Sequence, residues 1–399
     1  MITNNNQKST YLDTSVKSQC SGCKVCAAVC NLKAISFSFD EEGFWYPEID
    51  KSKCVGCNKC RDICPQGQIP LEKIKEENQT FAAYIKSEDV LKESVSGGMF
   101  TALSDVILQQ DGFVFGCIYD EDCKAVIEMA KTSNERNEMR GAKYVQSDMK
   151  DVFKRIETCL TYGKPVLFSG LPCQVDAVKK YFENAKATNL YTVELICHGV
   201  PSPGIFEEYV QLQSKKANKK IKEVIFRDKT LGWTMAQRKF VYEDGAIATD
   251  LLNADAFNNL FQRTNCILRP SCYECRYAGK KRIADLSIAD FWGIQKKHLE
   301  MYNNNRGCSL VLVNTDKGKE LFSVCKNNIR YKQVSLIDAQ ECNSPLKYPS
   351  IKFWERESFF KNKRIKGLEW CLFFYMDRRF FSRVFRKIRY IAWKIKNKK

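Results

Sequence analysis

Eight cysteines near the amino terminus form two copies of one pattern. The copies are Cys20-x-x-Cys23-x-x-Cys26-x-x-x-Cys30 and Cys54-x-x-Cys57-x-x-Cys60-x-x-x-Cys64-Pro65. A 4Fe-4S cluster needs four thiolates, and in two-cluster ferredoxins the fourth cysteine of each run ligates the other cluster. This spacing therefore predicts two clusters, one held by Cys20, Cys23, Cys26 and Cys64, the other by Cys30, Cys54, Cys57 and Cys60.

Zinc is the nearest alternative for these cysteines, because tetrahedral thiolate sites also use C-x-x-C pairs. A zinc site would not need the third and fourth cysteine of each run at a repeated spacing. The first run departs from the pattern in one place, since Asn31 follows Cys30 where Pro65 follows Cys64. We interpret the runs as a two-cluster electron carrier.

Two stretches of the central part could approach an anionic ligand. Residues 94–99 (SVSGGM) precede a predicted helix, so the two glycines and the helix N-terminus could receive a phosphate. A plain loop with an N-cap serine explains the same letters. Residues 140–147 (RGAKYVQS) combine two cations, a glycine and an aromatic ring, which suits a planar anionic cofactor, although a solvated surface turn is equally consistent.

Four further thiols follow or flank predicted strands. Cys173 and Cys197 come at the ends of two apolar strands, where sites of α/β sheets form, and Cys272-x-x-Cys275 supplies a pair. Four thiols on three loops would suffice for a third cluster. A nucleophilic Cys197–His198 pair is disfavoured, because neighbours on a strand point in opposite directions. The isolated cysteines are interpreted as buried and structural, namely Cys117, Cys123, Cys159, Cys308, Cys325, Cys342 and Cys371.

The strands and helices predicted around these residues indicate an α+β chain. Residues 34–39 alternate as a strand, a turn follows at 40–43, and 1–71 form a ferredoxin-type βα repeat. Polar residues 72–80 are predicted to be a linker. Residues 81–346 form an α/β domain with strands at 81–85, 113–118, 166–170 and 191–196, and a helix over 98–107. Helices should follow Pro172 and Pro203. The sequence lacks a G-x-G-x-x-G motif, so a nicotinamide-binding Rossmann fold is not indicated.

The third segment, residues 347–399, is basic and aromatic. Residues 351–399 carry 16 Lys or Arg against 4 Asp or Glu, so most of the net charge of +17 lies there. Apolar residues recur near helical spacing over 370–395, which predicts either a basic amphipathic helix on an anionic membrane or a helix packed on the protein. On the membrane interpretation, a chain ending at Lys366 should remain soluble with its cofactors.

Six short motifs, in order, give this chain a resemblance to a known family. They are Ser96-Gly97-Gly98, residues 141–145 (GAKYV), 170–173 (GLPC), 197–202 (CHGVPS), Cys272-x-x-Cys275 and 284–293 (ADLSIADFWG). Together they resemble the beta subunit of coenzyme F420 hydrogenase and its dehydrogenase relatives. The resemblance covers about residues 81–346, behind a ferredoxin segment that many relatives also carry.

The resemblance implies FAD in the central domain, a third 4Fe-4S cluster beside it, and hydride exchange at the flavin. It places Ser96, Gly97, Gly98 and Lys143 along FAD, and we add Gly141 and Tyr144 from the same motif. It assigns Cys173, Cys197, Cys272 and Cys275 to the third cluster, with Cys266 as a spare candidate. Asp285 and Asp290 are expected to organise loops rather than to react.

Two function classes follow. The first is an iron-sulfur flavoprotein oxidoreductase that joins a hydride-carrying cofactor or small organic substrate to a redox partner protein. The second is a flavin-free electron-transfer adaptor that docks a partner enzyme. Nucleic-acid repair would depend on the basic tail alone, and no nucleic-acid partner is expected. The run spacing, with no signal-peptide core in the sequence, predicts a cytoplasmic protein, peripheral at the inner face of the membrane if the tail binds lipid.

Overall fold

The computed structural model describes residues 10–67, 79–185 and 187–375. Within these residues the chain is α+β, as predicted. Its strands are β1 Ile35–Phe39, β2 Trp45–Ile49, β3 Gln79–Ile85, β4 Phe113–Tyr119, β5 Ala125–Ala130, β6 Val166–Gly170, β7 Leu190–Leu195, β8 Ile221–Asp228, β9 Gln237–Tyr242, β10 Ile247–Leu251, β11 Leu286–Asp290, β12 Ser309–Val313 and β13 Ile329–Gln333. Gln79 and Thr80, predicted as linker, belong to β3, because they pair with β12.

The α-helices are mostly short. They are α1 Tyr11–Thr14, α2 Val25–Ala28, α3 Lys59–Asp62, α4 Glu88–Glu93, α5 Met99–Leu108, α6 Ser133–Asn137, α7 Val152–Thr161, α8 Pro172–Tyr181, α9 Pro203–Ala217, α10 Ala256–Asn258, α11 Ile294–Lys297, α12 Asp316–Cys325, α13 Leu336–Cys342 and α14 Arg356–Tyr375. Pro172 and Pro203 begin α8 and α9, as predicted, because proline fits the first helical turn. None of the described helices has the length and hydropathy needed to cross a membrane.

An eight-stranded sheet forms the centre, in the order β13-β3-β12-β11-β7-β6-β4-β5. The four strands β11, β7, β6 and β4 are parallel, and the strands that flank them are antiparallel. The central strands are buried nearly throughout, in agreement with their continuous apolar sequences. Because parallel strands end at one edge, the segments that follow β6, β7 and β11 meet there.

Two smaller β elements complete the described chain. The antiparallel sheet β10-β9-β8 packs with α9 and α14 in one core cluster, and the β1–β2 hairpin belongs to the ferredoxin-like part. In α14 the chain turns sharply at Gly367, with a φ of 79°, and the following turn packs back on the preceding one, with Tyr375 5.3 Å from Phe359 between ring centroids.

The second part of α14 belongs to the core. Leu368, Cys371, Leu372 and Tyr375 are buried in the same cluster as α9. A chain ending at Lys366 would lack these buried side chains, which conflicts with the expectation that such a chain would remain soluble with its cofactors. The tail over 376–399, with most of the predicted amphipathic helix, lies outside the described residues.

Candidate functional site

The first cysteine run lies inside the molecule. Cys23 and Cys26 are buried. Burial, together with the nearby Cys64 and Cys20, raises the pKa of the Cys23 thiol to about 12. The pKa of Cys26 is raised by burial and by Cys23, Cys20 and Cys64. The fold thus brings Cys64, from the second run, beside the three cysteines of the first.

The second run lies at the surface. Cys54 and Cys57 are exposed and Cys60 is partly buried. The pKa of Cys60 is raised by burial and, to a smaller extent, by Cys54, so these two thiols are neighbours. Cys30 lies at the end of the first run, and its Sγ accepts a hydrogen bond from the backbone N–H of Ala34 at 3.3 Å. The two runs therefore share a sequence pattern but differ in environment.

Cys173, Cys197, Cys272 and Cys275 line one cavity. Cys173 lies in the first turn of α8, and Cys197 follows β7. Cys272 lies in the 3-10 helix Pro270–Glu274, and Cys275 directly follows this helix. Burial, with the other thiols, raises the pKa of Cys272 to about 12 and that of Cys173 well above its usual value. Ser21 and Gln66 of the ferredoxin-like part line the same cavity, and Cys23 is near enough to Cys173 to raise its pKa.

The donor set suits iron-sulfur clusters. All twenty cysteines are free of disulfides, and buried thiolates that repel one another need a cationic core to be stable. In the described ranges, no three His, Cys, Asp or Glu side chains converge on a position for a metal ion. Cys266 is away from the cavity, fully buried in a hydrophobic cluster with Phe261 and Leu268.

An ion pair lies behind this thiol cavity. Arg282 and Glu194 are 3% and 0% exposed, and the Arg282 Nε donates to Glu194. Ser287 Oγ also donates to Glu194 at 2.7 Å, and Arg282 Nη1 donates to the carbonyl of Tyr277 at 2.9 Å. The Arg282 charge counteracts the rise in the pKa of Cys197 that burial causes. A fixed cation thus lies close to the thiols.

A second, larger cavity of about 570 Å³ lies at the carboxyl edge of the parallel strands. Its volume is in the range of small-molecule sites, about 300–1,000 Å³. Five of the six residues predicted for cofactor binding line it, namely Ser96, Gly98, Gly141, Lys143 and Tyr144. Gly97 is not among the lining residues. Its N–H donates to Ser309 Oγ at 3.0 Å, and a Cβ would lie 2.4 Å from the carbonyl oxygen of Ala83. Gly97 thus lets the loop approach β3 and β12.

Cations lie at one end of this larger cavity. The Arg140 Nε donates to Thr101 Oγ1 at 3.1 Å, in the first turn of α5, and its Nη1 pairs with Glu93. The Lys143 Nζ donates to the carbonyls of Glu138, at 2.9 Å, and Arg140. Burial lowers the pKa of both cations. A helix N-terminus and two cations in this arrangement are chemically suited to an anionic group.

Several lining residues were missed by reasoning from sequence. Arg227, on β8, belongs to the smaller sheet, and its Nη1 donates to Asp290 at 3.2 Å. The Trp233 indole donates to the same carboxylate at 2.6 Å and stacks on Trp292 at 4.8 Å. Phe261 lies on a π-helical turn, Asn259–Arg263, an element frequent at functional sites. Of the residues named in this paragraph, Asp290 and Trp292 lie in a motif identified from the sequence, residues 284–293.

The expected role of the two aspartates is visible in their contacts. Asp285 accepts from the Thr192 N–H and Oγ1, both at 2.8 Å, and from Thr315 Oγ1 at 2.8 Å, which ties β7 to the turn after β12. Asp290 joins β8 and the Trp233 segment and also lines the larger cavity. Both carboxylates organise loops, as predicted.

Two family models match segments of this chain. Residues 163–338 match the family model for the carboxy-terminal part of the coenzyme F420 hydrogenase/dehydrogenase beta subunit. Residues 19–68 match the 4Fe-4S dicluster domain. No curated protein sequence matches significantly.

Among solved structures, the chain is similar to one from the F420-reducing NiFe hydrogenase complex of Methanosarcina barkeri. The sequence identity is 20%, the TM-score is 0.46, and the match covers 72% of this chain and 92% of the other. Residues 163–338 of this chain therefore match the carboxy-terminal part of the coenzyme F420 hydrogenase/dehydrogenase beta subunit family, behind an N-terminal 4Fe-4S dicluster domain at residues 19–68.

Proposed function

We propose that this protein is an iron-sulfur flavoprotein oxidoreductase that joins a two-electron hydride carrier at FAD to single-electron carriers. When bound, a flavin exchanges a hydride with a substrate and electrons with iron-sulfur clusters one at a time. The chain divides into a ferredoxin-type domain over 1–71, a flavin and cluster domain over 81–346, and a tail over 347–399. The hydride partner is a cofactor of the F420 or nicotinamide type or a small organic substrate.

Twelve cysteines would hold three clusters. Cys20, Cys23, Cys26 and Cys64 hold the inner ferredoxin-type cluster, and Cys30, Cys54, Cys57 and Cys60 the outer one. The central cluster is held by Cys173, Cys197, Cys272 and Cys275. Support comes from the grouping of the central thiols around one cavity, from the burial of Cys23 and Cys26, and from the Arg282 cation beside the central set.

FAD would occupy the larger cavity. Arg140, Lys143 and the start of α5 would receive its pyrophosphate, because fixed cations and free N–H groups stabilise phosphate. Ser96, Gly98, Gly141 and Tyr144 would form the adjacent walls. Arg227, held by Asp290, offers a further cation at the cavity wall.

One observation carries the proposal: the larger cavity and the thiol cavity share a wall. Leu171, Cys197, His198, Gly199 and Val200 line both. A planar ring bound against this wall would lie beside a cluster ligand, which is what electron exchange between two cofactors requires. A docking adaptor without flavin has no use for such a shared wall.

The test is the cofactor content of protein purified without oxygen. Twelve ligands should bind about twelve irons, at four per cluster, together with one FAD. Cys272→Ser should lower the iron content by one cluster and leave the spectra of the other two intact. Cys342 lines the larger cavity but not the thiol cavity. The control variant Cys342→Ser should therefore keep all the iron. Protein with full iron but no flavin would favour the adaptor, and iron near eight in the parent would remove the central cluster.

A further inference from the structure

The two cysteine loops of the ferredoxin-like part have the same backbone form in opposite environments. Gly22 and Gly56 occupy the same place in the two runs, with φ of 71° and 69°. Lys24 and Asn58 follow at equivalent positions, with φ of 62° and 60°. The first loop faces the central domain and the second faces solvent. The contacts of the first loop therefore indicate how a partner protein could bind the second.

The first loop is docked. A Cβ on Gly22 would lie 2.4 Å from Gln146 Nε2 and 3.0 Å from Arg269 Nη1. Arg269 is fully buried, and its Nε donates to the Cys20 carbonyl at 2.7 Å. The Gln146 Nε2 donates to the Ser21 carbonyl at 3.0 Å. The loop is therefore received by donors that bond to its carbonyls, directly beside the inner and central thiols.

The second loop has no such neighbour among the described residues. Every residue from 51 to 59 is exposed, and the apolar side chain of Val55, in the middle, is 73% exposed. A Cβ on Gly56 would meet no heavy atom within 4 Å. An apolar residue between two proposed cluster ligands is therefore open to a partner.

The surface around Val55 is basic. Lys51, Lys53 and Lys59 lie in the loop, and Lys33 lies opposite Lys51, in continuation of the β1–β2 pairing of Ile35 with Ile49. Lys53 is paired with Asp50 at 2.9 Å. In the part of the chain that the structure describes, Lys33, Lys51 and Lys59 have no ion pair with a carboxylate. We call residues 51–59 with Lys33 the basic loop surface.

We propose that the basic loop surface docks a single-electron carrier protein whose redox centre is surrounded by acidic side chains. The contact would place Val55 at its centre and the lysines at its rim, where charge steers association. One electron crosses per encounter: the outer cluster loses it and the carrier gains it, or the reverse, with no proton or group transferred. This inference rests on the proposed cluster held by Cys30, Cys54, Cys57 and Cys60.

The test compares two double variants with the same change of charge. Lys51→Glu/Lys59→Glu alters the basic loop surface, and Lys215→Glu/Lys319→Glu alters exposed lysines on α9 and α12. The probe is an acidic two-cluster ferredoxin, mixed by stopped flow with dithionite-reduced protein over a range of salt concentrations. We expect the loop variant to react at least about tenfold more slowly at low salt, with a flatter salt dependence, while the control keeps the parent rate.

A basic carrier, cytochrome c, provides the reciprocal arm. The loop variant should reduce cytochrome c faster than the parent does, because the sign of the steering potential is reversed. Unchanged rates with both carriers would overturn the proposal, and so would salt-dependent DNA binding through these lysines without a change in the ferredoxin rate. The clusters are reduced chemically, so the experiment works without flavin. Iron content and cluster spectra distinguish a lost docking surface from a lost cluster.

Discussion

At the scale of single residues, cations around both cavities are held by protein acceptors. Lys143 is bonded to two backbone carbonyls, and Arg282 to Glu194 and to the carbonyl of Tyr277. A cation fixed in this way loses little side-chain entropy when an anionic group binds. These residues can therefore be tested individually, with one readout for ligand affinity and another for stability.

Lys143→Ala should weaken FAD binding. A charge-assisted hydrogen bond contributes about 1.5–3 kcal/mol, which corresponds to a rise in Kd of about 10- to 150-fold. Kd would be measured by flavin fluorescence during titration of protein freed of FAD. Lys124→Ala, on an exposed turn where the lysine pairs with Asp122, should leave Kd unchanged. Equal, tight FAD binding by both variants would place the flavin elsewhere.

Arg282→Met should destabilise the protein, because it leaves the Glu194 carboxylate buried without its partner. Removing one member of a buried pair costs about 3–5 kcal/mol. The double variant Glu194→Gln/Arg282→Met removes both charges and should recover part of this loss. The measurement is thermal unfolding under anaerobic conditions. Equal unfolding temperatures of the single and the double variant would show that the unpaired Glu194 carboxylate does not destabilise the protein.

At the scale of elements, the β1–β2 turn is attached to the central domain by close backbone contacts. The N–H of Gly204, in the first turn of α9, donates to the Gly43 carbonyl at 3.1 Å, and Ser202 Oγ donates to the Glu42 carbonyl at 2.6 Å. Arg356 pairs through both of its Nη atoms with the Glu42 carboxylate. Contacts from α9 and α14, two helices distant in sequence from the β1–β2 turn, thus hold the ferredoxin-like part in place.

Gly204→Ala tests this attachment. A Cβ on Gly204 would lie 2.8 Å from the Gly43 Cα, so backbone must move. We expect a cost of about 1–3 kcal/mol, typical of overpacking, and faster amide hydrogen exchange in β1 and β2. Lys215→Ala, exposed near the end of the same helix, should leave exchange in this hairpin unchanged. Parent-like exchange in Gly204→Ala would show that the contact does not constrain the hairpin.

At the scale of the whole molecule, the chain closes on itself through its last described turn. Residues 368–375 pack with α9 and with the helical segment before Gly367, in the same core as the β8–β10 sheet. The larger cavity lies between this core and the central sheet, since Phe261 and Tyr144 contribute to both the core and this cavity.

A chain ending at Lys366 should therefore fail to fold stably. It loses buried Leu368, Leu372 and Tyr375, and each large apolar side chain removed from a core costs about 2–5 kcal/mol. The sum approaches the total stability of a typical domain, about 5–15 kcal/mol. A chain ending at Tyr375 is the matched control and should remain soluble with its iron. Equal solubility and iron content in both would contradict the packing argument.

Local pattern was enough for much of this protein. The strands predicted at 113–118 and 166–170, the helices predicted after Pro172 and Pro203, and the family resemblance were all confirmed. The dicluster segment was also predicted, because the cysteine ligands of these clusters come from short loops with a characteristic spacing in sequence. Ser96 and Lys143 could be named as candidate cofactor-binding residues because each lies in a short motif, and the fold places both at one cavity.

Long-range packing decided the rest. The two cysteine runs are nearly identical in pattern, yet only the fold decides that one is buried against Arg269 and the other is exposed. Arg227 reaches the larger cavity from a different sheet, and no local signal marks it. Cys266 and Cys272 are six residues apart, but one lies in a hydrophobic core and the other in the thiol cavity. Sequence spacing specifies which groups can act together, whereas burial and proximity depend on contacts between distant segments.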